Sequence, residues 1–171
     1  MDLKTYIRSF PHFPKRGVLF RDIMPMLHEP AAWRYTIDEL RRRLELWQPD
    51  ILIGVEARGF LLAAPLAYAM GLGFSLVRKP GKLPGPLRSI DYDLEYGSNR
   101  LEMQEDAVTP GTRVAIVDDL LATGGTTQAT CALMEQANAQ VVGTACIVEL
   151  SALAGRQRLT CPVETLVVYD D

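Results

Sequence analysis

The feature that most constrains the fold of this chain is the stretch VAIVDDLLATGGTT, residues 114–127. Val114, Ala115, Ile116 and Val117 form an uninterrupted apolar run of strand length. Asp118 and Asp119 end it, two glycines follow, and Ala129, Leu133 and Met134 recur at helical spacing beyond. Strand, turn and helix in that order make half of a βαβ unit. Such a turn points several backbone N–H groups and the positive end of the helix dipole at one spot, so its natural guest is an anion such as phosphate. Gly124 and Gly125 permit close backbone approach, and the hydroxyls of Thr123, Thr126 and Thr127 can donate to phosphate oxygens. Two carboxylates just ahead of a phosphate would repel it unless they faced donors. Ribose hydroxyls are the donors that fit, so the stretch suggests a ribose 5-phosphate. Thr126, not Lys, follows the last glycine, which removes a Walker A loop, and the G-x-G-x-x-G spacing of a dinucleotide site is not met. The alternative for these residues taken alone is a tight strand-to-helix turn without a ligand.

Other segments keep an α/β rhythm. ILIGV, residues 51–55, is apolar throughout, as in a strand buried on both faces of a parallel sheet, and it ends in Glu56, Ala57, Arg58 and Gly59. The helical run FLLAAPLAYAM follows and stops at Gly71. A strand over 74–77 ends in Arg78, Lys79, Pro80, Gly81 and Lys82, and further strands are predicted over 141–150 and 163–169, with a helical turn over 152–158. In a doubly wound sheet, two basic strand ends and one acidic one lie along a single edge, where such folds bind ligands. Separate surface salt bridges are the alternative for each charge by itself. Pro30 opens a helix to about position 48, whose stripe of Trp33, Ile37, Leu40, Leu44 and Trp47 suits either the sheet or a second subunit. Arg41, Arg42 and Arg43 project in three directions and read as a solvated face.

Residues 3–9 are predicted as a short helix, and Phe10, Pro11, His12, Phe13 and Pro14 as an extended segment. Val18, Leu19 and Phe20 then run into Arg21 and Asp22. This is a loop that either offers an aromatic face and main-chain groups to a flat heterocycle or clasps the core. His12 and His28 read as surface residues. Residues 82–103 break the rhythm: a Pro- and Gly-rich half precedes a hairpin pattern around Gly97, Ser98 and Asn99, which suits a mobile lid or a passive excursion.

At 171 residues, without repeats or a linker, one domain over 1–171 is expected. Lys and Arg number 18 against 21 Asp and Glu, so the basic excess of a nucleic-acid binder is missing. The longest apolar run, residues 60–70, contains Pro65 and is too short to span a bilayer. No signal-peptide core opens the sequence, which makes a cytoplasmic protein the default. Cys131, Cys146 and Cys161 lack C-x-x-C spacing and read as reduced structural thiols rather than a zinc site.

The strand, paired acids and T-G-G-T-T resemble the phosphoribosyl pyrophosphate (PRPP) motif of type I phosphoribosyltransferases. SFPHFPKRGVLFRDI, EARGF, RKPGKLPGP, YDLEYG with LEM, and VELSALAGRQRL extend the likeness from about Ile7 onward. Together they are similar to the adenine phosphoribosyltransferases. The resemblance implies an α/β fold with a twisted, mainly parallel sheet flanked by helices, a lid over 82–103 and a base-binding hood over 1–30. It implies transfer of the 5-phosphoribosyl group of PRPP to N9 of adenine, giving AMP and pyrophosphate, with Mg2+ held mainly by PRPP and water rather than by protein ligands. Ala122, Thr123, Gly124, Gly125, Thr126 and Thr127 would cradle the 5-phosphate, and Asp118 and Asp119 would hold the ribose hydroxyls. Ala57 and Arg58 would meet pyrophosphate, helped by Arg78, Lys79 and Lys82, some of them from a neighbouring subunit. Leu19, Phe20 and Arg21 would bind adenine, largely through main-chain groups. Glu95 and Tyr96 would approach the reacting centre from the lid, with Arg58 as the third catalytic group. Glu56 and Ala57 stand where the family often has Asp and Ser, which removes a hydroxyl. Which of Arg78, Lys79, Lys82 and Arg88 points inward is left open, and a homodimer is implied by resemblance alone. Two alternatives are a transferase for another purine such as xanthine or hypoxanthine, and a PRPP-sensing regulator. The regulator would ordinarily add a nucleic-acid-binding segment or a basic surface, and this sequence has neither.

Overall fold

A strand covered on both faces needs apolar residues at nearly every position, and the runs 51–55, 114–117 and 141–148 meet that need. The computed structural model describes residues 1–93 and 98–170, with Asp93 and Ser98 as backbone alone. A 3₁₀ turn at Leu3–Tyr6 precedes β1 (Arg8–Pro11), β2 (Leu19–Asp22), α1 (Met24–His28) and α2 (Pro30–Glu45). Next come β3 (Ile51–Val55), α3 (Gly59–Met70), β4 (Gly73–Val77), β5 (Leu87–Asp93), β6 (Ser98–Gln104) and β7 (Arg113–Leu121). The chain continues through α4 (Gly125–Gln136), β8 (Gln140–Leu150), 3₁₀ turns at Ser151–Leu153 and Gly155–Arg158, and β9 (Val163–Tyr169). The central sheet has the order β4-β3-β7-β8-β9 and is parallel throughout. Two antiparallel pairs, β1 with β2 and β5 with β6, flank it.

The two-residue period of β7 divides its side chains between two cores. Ala115 and Val117 join Leu52, Leu40, Leu44, Leu62 and Leu66 under α2 and α3. Val114 and Ile116 join Ile53, Val55, Leu133, Met134, Leu101 and Met103 under α4 and the β5–β6 hairpin. Fully burying each leucine removes enough apolar surface to stabilise the fold by about 1.5–3 kcal/mol. The α2 stripe goes inward: Ile37, Leu40 and Leu44 are buried, and Trp33 and Trp47 pack against the same core. It is therefore intramolecular core and not a surface left for a second subunit. Among the described residues, no helix is long and apolar enough to cross a membrane.

Three segments differ from expectation. Residues 3–9 hold only one 3₁₀ turn, because Arg8 already pairs with Asp22 across β1 and β2 and its guanidinium donates to the Asp22 carboxylate at 2.6 Å. The segment expected as a loop around Phe20 is accordingly the second strand of that pair. The 82–103 hairpin begins at Leu87, earlier than its pattern suggests, because burial of Leu101 and Met103 draws β5 along the full length of β6. Glu95 and Tyr96 lie outside the described residues.

At the far end of α2 the Trp47 ring lies directly on Gly143 of β8, where an added Cβ would sit 2.6 Å from ring carbons. Gly143→Ala is expected to destabilise the protein by about 1–3 kcal/mol in urea unfolding. In a Trp47→Ala background that loss should vanish, because the ring it clashes with is gone; an undiminished, additive loss would show that the ring is not its cause.

Candidate functional site

Parallel pairing brings the carboxyl ends of three strands level. Val55 of β3 is opposite Val77 of β4, and Gly54 is opposite Val117 of β7. The residues that follow those positions surround a cavity of about 480 Å³ lined by Glu56, Ala57, Arg58, Lys79, Asp118, Asp119, Leu120 and the whole of 122–127. Tyr92, Asn99 and Leu101 of the hairpin close it from above. Gly59, at the start of α3, packs so tightly on β7 that a Cβ there would lie 2.6 Å from the Val117 carbonyl oxygen and 3.3 Å from a carboxylate oxygen of Asp118. Only a glycine lets α3 begin this close to the acids, and that closeness places the preceding Arg58 beside Asp119.

The electrostatics follow from crowding. The Asp118 carboxylate accepts from the Asp119 N–H at 2.8 Å. Asp119 is buried and its carboxylate takes the Nε–H of the half-exposed Arg58. Asp118 keeps some surface in the cavity, yet desolvation first and the Asp119 carboxylate second push its pKa well above the ordinary range. Next to the acids, α4 starts at Gly125, and Gly124 before it adopts φ +80. N–H groups in a first helical turn have no acceptor within the helix, so this end of the cavity is positively poised while the β7 end is acidic. Thr126 Oγ1 lies 3.3 Å from the Tyr92 hydroxyl, linking the loop to the hairpin.

Not every predicted residue reaches this space. Because Val55 and Val77 are paired, the residues after them stand side by side, and Arg78 donates to Glu56 at 3.1 Å and to the Lys82 carbonyl at 3.2 Å. Burial alone would raise the Glu56 carboxyl, but the Lys79 N–H and Arg78 outweigh it and hold it below the usual range. Arg78 and Lys82 do not line the cavity, and Arg88 reaches instead toward the Gln136 carbonyl at the end of α4. Of that basic group only Lys79 faces inward.

A second cavity, of about 690 Å³, adjoins the first through Arg58 and is lined by β1, β2 and their connection. Phe13 and Phe20 meet edge to face at 5.2 Å, and the Arg58 guanidinium sits 5.6 Å above the Phe20 ring. Arg21 also lines it, while Leu19 does not. His12, expected at the surface, lines this cavity, and so do Phe10, Phe13 and Met24, for which the sequence predicts no binding role because isolated apolar residues in a Pro-rich segment carry no period. Nor does it predict one for Tyr92 and Asn99, although they are cross-strand partners and so share one face of the hairpin. Among the described residues, no group of three or more His, Cys, Asp or Glu side chains is placed to hold a metal ion.

The raised Asp118 pKa has a consequence for stability. A carboxyl whose folded pKa lies above its unfolded value contributes stability below the unfolded pKa and loses it as pH rises through the folded one. Asp118→Asn is therefore expected to stabilise the unliganded protein at pH 7 by about 0.5–2 kcal/mol, a gain that fades as pH falls toward about 4. Thermal unfolding across that pH range measures it, and a variant less stable than the parent at pH 7 would contradict it.

Comparison with known proteins points the same way as the geometry. Residues 36–165 match the phosphoribosyl transferase domain family. An adenine phosphoribosyltransferase from a Synechococcus strain is 53% identical over 99% of this chain and 100% of its own length. The crystal structure of adenine phosphoribosyltransferase from Thermoanaerobacter pseudethanolicus superposes with a TM-score of 0.96 at 46% identity, covering 98% of each chain. That of the Saccharomyces cerevisiae enzyme, complexed with an imino-altritol bisphosphate and adenine, gives 0.90 at 40% identity over 96% of each chain. The chain belongs to the adenine phosphoribosyltransferase family.

Proposed function

We propose that the protein transfers the 5-phosphoribosyl group of PRPP to N9 of adenine, releasing pyrophosphate and forming AMP. The observation that carries this reading is the pair of adjoining cavities that share Arg58, one acidic and hydroxyl-lined, the other aromatic. In the first, residues 122–127 receive the 5-phosphate at the start of α4, and Asp118 and Asp119 accept from the ribose hydroxyls. Ribose hydroxyls arriving at Asp119 compete with Arg58, and the released guanidinium turns to the pyrophosphate together with Lys79 and the Ala57 backbone. Arg78 acts through Glu56, whose bonds fix this turn. In the second cavity a flat base lies against Phe20, with Arg21 and the main chain of β2 at its edge and Leu19 packing outside.

Departure of pyrophosphate leaves positive charge on the ribose, which nearby carboxylates stabilise while cations stabilise the leaving group. The donor set of the first cavity is oxygen, from carboxylates and hydroxyls, and that chemistry fits magnesium carried in mainly on PRPP and water. When bound, magnesium neutralises charge on the diphosphate. Glu95 and Tyr96 act at the reacting centre, as the family resemblance implies, where exclusion of water protects the ribosyl cation. The protein works as a cytoplasmic homodimer in purine salvage. Its three cysteines are free, as suits a reducing compartment, and α3 and edge strand β4 expose Leu61, Tyr68 (91%) and Phe74, apolar surface that a second copy would cover.

Pyrophosphate release from PRPP and magnesium, assayed with adenine, hypoxanthine and xanthine in turn, tests the reading. Adenine should be the preferred base; activity with hypoxanthine and none with adenine would overturn the specificity, and no activity with any base would overturn the reaction. Asp119→Asn should lower kcat/KM for PRPP by roughly 10- to 100-fold, since an amide donor would then face a hydroxyl. Glu95→Gln should lower kcat more than it raises KM for PRPP, as expected of a contact made mainly in the transition state.

A further inference from the structure

The phosphate loop rests on a second piece of backbone that the reaction chemistry does not use. After β8 the chain turns through Ala154, at φ +54, into the 3₁₀ turn Gly155–Arg158. Gly155 is buried, and a Cβ built on it would fall 2.1 Å from the Ala122 carbonyl oxygen and 2.8 Å from the Gly124 nitrogen. The fit is reciprocal, because a Cβ on Gly124 would fall 2.5 Å from the Gly155 carbonyl oxygen. Two glycines thus interlock, one in the loop and one behind it.

The turn that carries Gly155 is itself clamped. Arg156 donates to both carboxylate oxygens of Glu149, at 2.9 and 2.5 Å, and to the Val163 carbonyl at 2.7 Å. Thr165 donates to Glu149 from β9 at 2.9 Å. Glu149 is buried, with 8% of its side chain exposed, and Arg156 above all holds its carboxyl below the usual range. In the sheet Glu149 is the partner of Leu121, the residue directly before the loop. The anchor and the loop therefore leave adjacent strands at the same level and meet again at Gly155.

We propose that Gly155, Arg156 and Glu149 are positioning residues that set the conformation of the 122–127 loop, and through it the affinity for a 5-phosphorylated ribose. This rests on the reading that the loop receives the 5-phosphate. The backbone N–H groups of a phosphate cradle cannot swing as side chains do, so their fit depends on what holds the backbone from behind. Here that support is a neutral glycine contact locked by a charged clamp, and none of the three residues lines either cavity.

Titration calorimetry with ribose 5-phosphate, together with KM values for both substrates, tests the proposal. Gly155→Ala should weaken ribose 5-phosphate binding and raise KM for PRPP by about tenfold or more, while KM for adenine stays within about twofold. Arg156→Met should do the same to a lesser degree, and Arg156→Lys should recover part of the loss. If Gly155→Ala does not fold, Glu149→Gln gives the test, with the same split between the two substrates. Folded variants whose KM for PRPP is unchanged, or in which both KM values rise together, would overturn the positioning role. Failure of the parent protein to bind ribose 5-phosphate would overturn the reading of the loop, and this inference with it.

Discussion

Two carboxylates held together at the end of a strand that is buried on both faces are the constraint around which this molecule is arranged. Asp118 and Asp119 are chain neighbours held in place by β8, which pairs with β7 at Asp118, by β3, which pairs with it up to Val117, and by Gly59, which brings α3 against the Val117 carbonyl. Crowding and burial make ionisation of Asp118 unfavourable, and Arg58 offsets part of that cost by pairing with Asp119. Such a site is poorly satisfied until donors arrive. A ribose diol supplies them, and in doing so frees a cation for the leaving group, so an unfavourable resting arrangement and a favourable bound one have the same cause.

The same economy of contact recurs where backbone meets backbone. Gly59 against β7 places Arg58, and Gly124 against Gly155 places the phosphate loop. In both positions an extra carbon would displace the very groups that face the ligand, without itself touching the ligand. Arg58 then joins the two cavities, ion-paired on one side and stacked near Phe20 on the other. A change in how one cavity is filled is thereby felt in the other.

Much of the central layer was legible in the sequence. β3 has the predicted limits, because burial on both faces leaves a continuous apolar signature; β9, α2 and the stop of α3 at Gly71 also fall within a few residues of expectation, while β7 continues past Asp118 and Asp119 to Leu121. The pairing of Arg8 with Asp22 left no such trace, since β1 and β2 are four residues each, β1 is exposed along its length and β2 is mostly polar or half-buried. Nor could the sequence reveal that Arg78 turns to Glu56. That follows from the register of β3 with β4, which depends on the whole sheet. Gly155 was invisible for the same reason: its partner is 31 positions away, counted from 124 to 155, and proximity across a sheet has no period.

The measurement that bears most directly on the paired-acid account is a crystal structure of the protein with AMP. The ribose hydroxyls should lie within about 3 Å of the Asp118 and Asp119 carboxylates, with the 5-phosphate on the N–H groups of residues 122–127 and the Arg58–Asp119 pair broken. AMP bound with its ribose hydroxyls on other residues, and Arg58 still paired to Asp119, would contradict it.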